Sequence, residues 1–136
     1  MFTFTDNTAA VLAQIEGGIE RALERMGMQA VGYAQDLSPT PQTGALRNSI
    51  THKVDTTESS VYIGSNEKYA PYVELGTGIY AEGGGGRPTP WAYQDEKGEW
   101  HHTRGQEPQP YLRPAIEDHK QTYRNILADE LESSLK

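Results

Sequence analysis

Apolar residues recur at steps of three and four through the first part of the chain: Val11, Ile15, Ile19, Leu23, Met26 and Ala30, then Leu37 after a double step. That period predicts one long amphipathic helix over Thr8 to Leu37. Glu16, Glu20, Arg21, Glu24 and Arg25 fall mostly on the opposite face and read as solvated charges. Asp6, Asn7 and Thr8 all suit an N-cap, because their side-chain oxygens satisfy backbone N–H groups that a first turn leaves unpaired. Gly17, Gly18 and Gly27 each cost about 1 kcal/mol relative to alanine in a helix, so they mark a bend or a close helix–helix approach. Ser38-Pro39-Thr40-Pro41 ends the helix, since a residue before proline is driven out of the helical region.

Beyond the prolines the pattern shortens. Thr43-Gly44 opens a short turn with Leu46 and Ile50 facing inward and Arg47 outward. Thr51 to Asp55 and Ser60 to Gly64 read as a hairpin turning through Thr56-Thr57-Glu58-Ser59, with Val61 and Ile63 on one face and Tyr62 on the other. Tyr69 to Gly78, Tyr-Ala-Pro-Tyr-Val-Glu-Leu-Gly-Thr-Gly, reads as a helical turn that Pro71 can start. Gly76 and Gly78 bracket Thr77 and permit backbone angles closed to other residues. The stretch is a structural corner that fixes Glu74 between a buried element and a flexible loop, residues 79–90. Within that loop Gly83 to Gly86 should hold no fixed conformation without outside contacts. Trp91-Ala92-Tyr93 and Glu99-Trp100-His101-His102 read as a second hairpin through Asp95-Glu96-Lys97-Gly98, with the glycine left-handed. Trp91, Tyr93 and Trp100 then supply cross-strand aromatic contacts. After a stiff connector, Gly105 to Pro110, a last helix starts near Pro114 and runs to about Ser134, with Ile116, Tyr123, Leu127 and Leu131 as its stripe.

Three of these stretches carry a resemblance. Tyr69 to Gly78 resembles the "YA.yvEfGT" signature of a family of small neck or tail-completion proteins of long-tailed bacteriophages, the minor tail components of HK-type lambdoid phages. Thr43-Gly44-Ala45-Leu46-Arg47-Asn48-Ser49-Ile50 resembles the family's "TG.Lr.Si" motif. Pro108-Gln109-Pro110-Tyr111-Leu112-Arg113-Pro114-Ala115 resembles its "PqPflrPA" motif. The three come in the family's order and span roughly Ser38 to Ala115, with helices flanking them. The four consecutive glycines between Ile79 and Arg87 depart from the pattern.

Composition narrows the reading. At 136 residues the chain fits one domain, 1–136. Leu, Ile, Val and Phe make up only 23 of the 136 residues, below the roughly 20% at which disorder becomes a live reading. The regular periodicity argues for a folded core of modest size that gains stability from neighbouring subunits. There is no cysteine, hence no disulfide framework and no thiolate chemistry. No run approaches the ~18 apolar residues of a membrane span, and the N-terminus lacks the pattern of a signal peptide. Net charge is -7, which opposes independent binding to a phosphate backbone. Only Arg113, Lys120 and Arg124 fall close enough on one helix to form a small basic patch.

Candidate chemistry is sparse. The glycine run lacks the Lys-Ser/Thr pair and preceding strand of a phosphate loop. His101 and His102 are adjacent, so on a strand they point to opposite faces and do not share a metal. No Gly-X-Ser-X-Gly elbow occurs. Glu74 is the one carboxylate in an apolar setting, and reads as a structural cap or an ion-pair partner of an arginine such as Arg113.

The fold expected is α+β, a long N-terminal helix and a C-terminal helix packed on a small antiparallel sheet. The corner residues are Tyr69, Pro71, Glu74, Gly76, Thr77 and Gly78; candidate assembly contacts are Arg47, Gly83, Gly84, Arg87, Tyr111 and Arg113. What the resemblance implies is a structural virion protein without catalysis, cofactor or metal. It would form a homo-oligomeric ring at the head–tail junction, next to head-closure and tail-terminator or tail-tube proteins, enclosing genomic DNA without strong affinity. Its place would be the virion, and the host cytoplasm during assembly. The competing reading is a small phage-encoded regulatory or DNA-binding protein, which would need a basic face.

Overall fold

The computed structural model describes residues 6–39, 44–94 and 97–136. The sequence features at Met1 to Thr5, Thr40-Pro41, Thr43 and Asp95-Glu96 lie outside those residues. The elements in order are helix α1 (Thr8–Leu37), helix α2 (Ala45–Ser49), strands β1 (Ile50–Asp55) and β2 (Ser60–Ser65) and helix α3 (Ala70–Leu75). Strands β3 (Trp91–Gln94) and β4 (Trp100–Thr103) and helices α4 (Leu112–Glu117) and α5 (Lys120–Ser134) follow. The fold is α+β, with two separate two-stranded antiparallel sheets, β1–β2 and β3–β4.

Helix α1 has the expected bounds, and of its expected stripe Leu23 and Ala30 are buried while Val11, Ile15, Ile19 and Met26 are half-buried. Its buried positions are Gly18, Ala22, Leu23, Gly27, Ala30 and Ala34, so small residues carry most of the packing, and Leu37 is exposed. Two glycines make this possible. A Cβ at Gly18 would come within 2.5 Å of the Ser134 hydroxyl on α5, and one at Gly27 within 2.5 Å of the His52 ring on β1. The close approaches are therefore to a helix at one end and to a sheet in the middle. The charges on the outer side are not simply solvated. Arg21 and Arg25 both reach Glu130 of α5, at 3.3 and 3.1 Å, and Glu24 meets His52 at 2.8 Å.

The first hairpin pairs Ile50 with Ser65 through Asp55 with Ser60, one residue longer at its open end than the sequence pattern gave. Tyr62 points to solvent, as its alternation with Val61 and Ile63 requires. In the second hairpin the register sets Trp91 opposite Thr103 and Gln94 opposite Trp100. The two tryptophans therefore do not meet; the aromatic contact across the strands is Tyr93 with His101, ring centroids 5.3 Å apart. Gly98 has φ 86°, the left-handed position expected of it.

The expected C-terminal helix is two helices. The chain leaves helical geometry at His119, φ -125° and ψ 25°, and its imidazole stacks on Tyr33 of α1 with centroids 3.5 Å apart. The Tyr123 hydroxyl turns back to donate to the Ala115 carbonyl in the last turn of α4. A stacking partner on another element thus outweighs the local helical preference of residues 114–134.

Candidate functional site

The core joins the three sequence motifs. Leu46 and Ile50 from the first, Ala70 from the second, and Tyr111 and Ala115 from the third form one buried cluster with Ala34 of α1. Val73 and Leu112 pack against it. Arg47, between Leu46 and Ile50, faces outward, its guanidinium 4.0 Å from Asp36.

Glu74 is the hinge between the second and third motifs. Three residues after Pro71 its side chain projects inward, and the residue is only 7% exposed. One carboxylate oxygen accepts from the backbone N–H of Tyr111 at 2.7 Å and of Leu112 at 3.0 Å. The other accepts from the Arg113 backbone N–H and from its Nε, both at 3.1 Å. These are the orphan donors of the first turn of α4, capped by a side chain from 37 residues earlier in the chain rather than by a local one. Burial pushes the Glu74 pKa up, but the N–H groups of Leu112, Tyr111 and Arg113 and the Arg113 guanidinium outweigh it. The carboxyl is held below its ordinary value.

Around this cap the backbone of the corner is stitched to the connector. Gln109 N–H donates to Val73 O at 2.8 Å, Thr77 N–H to Gln106 O at 2.9 Å and Ile79 N–H to Arg104 O at 3.1 Å. The Thr77 hydroxyl accepts from Gln106 N–H at 2.8 Å. Gly76, with φ 81°, is required twice over, by its left-handed angle and because a Cβ there would lie 2.9 Å from Pro108. Tyr69 and Pro71 begin α3 as the sequence implied, Tyr69 preceding it and Pro71 in its first turn.

Residues 78–86 form two 3-10 turns, Gly78–Tyr80 and Glu82–Gly84, and Gly86 closes back against the Gly78 carbonyl. A conformation is therefore set within the chain, where the sequence alone pointed to outside contacts. Gly83 and Gly84 are left-handed, with open space around them. Glu82 reaches the second face of Arg113 at 2.9 Å, so one guanidinium joins loop, corner and α4. Arg113, on α4, is thus paired with Glu74 and Glu82, whereas Lys120 and Arg124 belong to α5, so the three do not share one helix. Tyr111, expected among the assembly contacts, has no exposed surface at all; the cap on its N–H directs its ring into the core. Its hydroxyl has no hydrogen-bond partner among the described residues, and burial, then the Glu74 charge, push its pKa up.

Between α3 and the loop lies an open groove of about 620 Å³, lined mainly by Pro71, Tyr72, Leu75, Ala81 and Trp91. Arg87 stands at its rim with its guanidinium 5.6 Å from the Trp91 ring centre. Tyr72 and Leu75 are exposed in its lining, and Ile79 and Tyr80 of the following loop are exposed as well. Sequence reasoning missed this groove; the signal was present in the bulky residues Tyr72 and Leu75 beside Glu74. Among the described residues no group of three or more His, Asp or Glu is placed to hold a metal ion, and no helix is long and apolar enough to cross a membrane.

The fold and the corner define a small α+β protein whose densest polar chemistry holds its own backbone together. Residues 3–76 match the family described as "Bacteriophage HK97-gp10, putative tail-component", and since the match covers more than half of the chain, the chain belongs to that HK97-gp10-like family of phage tail components. The match contains the first motif and the second as far as Gly76; the third motif lies beyond it and is tied to it by Glu74. No curated protein and no solved structure matches the chain.

Proposed function

We propose that this tail component is a non-catalytic ring subunit at the head–tail junction, assembled in the host cytoplasm, through which genomic DNA passes. Its neighbours would be head-closure and tail-terminator or tail-tube proteins. The observation that carries the reading is the cluster of large apolar side chains left in water around the corner, Tyr72, Leu75, Ile79 and Tyr80. Large apolar side chains left in water along one short segment mark a surface that another protein covers. The thin apolar inventory agrees with a subunit stabilised by neighbours. The charge of -7 suits a conduit, because carboxylates facing a lumen repel phosphate, whereas a basic lining would hold it. Light scattering with negative-stain imaging, on the chain alone and with candidate neck partners, tests this. Closed rings of uniform size are expected; a monomer under every condition, alone and with each partner, overturns it.

A further inference from the structure

Among the described residues, the first two turns of α1 carry a second apolar surface partly in water, with Leu12 exposed and Val11 and Ile15 half-buried. Helix α5 ends at Ser134 beside Gly18, and the β1–β2 turn reaches α1 only near Glu16 and Ile19. The two turns Thr8 to Ile15 therefore project by roughly 12 Å at 1.5 Å per residue. Val11, Leu12 and Ile15 share one face of this projection, and Leu12 is 53% exposed.

We propose that this projecting end of one copy docks in the α3–loop groove of a second copy, a contact that specifies how the subunits of the proposed ring meet and rests on that reading. Residues at three- and four-residue steps are the anchors by which a helix enters an apolar groove, and Leu12 with Ile15 or Val11 with Ile15 has that spacing. Charge agrees. Asp6 and Glu16 flank the anchors and no Lys or Arg precedes Arg21, while Arg87 at the groove rim has no carboxylate partner among the described residues. The two surfaces cannot meet within one molecule. Leu12 lies 22 residues from Ala34, which packs with Ala70 at the start of α3; at 1.5 Å per residue that is about 33 Å. A projection on one end and a groove on the other is a heterologous pairing, which repeats from copy to copy and closes only as a ring.

The absence of native cysteine makes the test clean. Leu12→Cys and Tyr72→Cys are combined in one chain and treated with a short bis-maleimide, with each single variant as control. A ladder of three or more copies is expected from the double variant, and nothing beyond dimers from either single one. Wild-type rings by light scattering without a ladder overturn this contact and leave the ring reading standing. A ladder of open chains with no closed ring upholds the contact and overturns the ring. Neither rings nor ladder overturns both.

Discussion

One carboxylate, Glu74, serves three backbone N–H groups and a guanidinium, so replacing its charge should be felt throughout the corner. Glu74→Gln keeps the shape but leaves one oxygen to accept, so two of the four bonds lose their charge and the other two donors face the amide nitrogen; a loss of about 2–4 kcal/mol is expected from denaturant unfolding. An unchanged midpoint would remove Glu74 from the role given to it here. The effect carries a pH signature. The folded-state pKa is lowered, so the stabilisation is complete above the ordinary value of about 4.3 and is lost as pH falls through the folded one. The gap in melting temperature between wild type and Glu74→Gln should accordingly be widest near neutrality and narrow below about pH 4. Gly76→Val should be severe, combining strain of about 1–3 kcal/mol with a clash at Pro108; melting equal to wild type would contradict the left-handed turn. Glu74 was legible in the sequence as the lone carboxylate of an apolar run. Most of its donors were not, because they lie 37 to 39 residues away.

The bounds of α1 and the side it buries followed from its period and its terminal Ser-Pro, whereas the glycines and alanines that pack most tightly on that side did not. A hydrophobic stripe weights large side chains, and here glycine and alanine make the contacts. Gly27→Ala and Gly32→Ala separate the two roles of a helical glycine. Both gain helix propensity of about 1 kcal/mol, but a Cβ at Gly27 meets His52 and Val61 while one at Gly32 meets nothing. Thermal melting should rise for Gly32→Ala and fall for Gly27→Ala; a rise for both would mean that α1 and the hairpin stand further apart. The break at His119 was hidden for a related reason, since stacking on Tyr33 is a tertiary event with no local marker. In the loop, amide exchange should be fast at Gly83 and Gly85 in the free subunit and slow at Thr77 and Ile79, whose N–H groups are bonded to the connector. Strong protection across Gly83 to Gly86 in a monomer would show a loop already closed before assembly.

For the whole molecule, net charge governs behaviour toward DNA. Arg21 and Arg25 share Glu130, and Arg113 lies between Glu74 and Glu82, and the 19 acidic residues outnumber the 12 basic ones, a balance that opposes phosphate binding. No measurable binding to duplex DNA is expected by fluorescence anisotropy at about 0.15 M salt; micromolar binding with a steep salt slope would favour a regulator over a conduit. The same global view shows what the stitched base of the corner permits. Thr77 and Ile79 are bonded to Gln106 and Arg104, so the chain leaves the body and returns to it at a single closed gate. Everything between, residues 80–103, is an excursion whose length the body scarcely senses, because doubling a closed loop costs only about 0.6 kcal/mol. Such a segment can be lengthened, trimmed or exchanged for foreign sequence while Glu74 still seals the fold beneath it, which makes it a natural cassette for changing what the tail component touches without rebuilding how it folds.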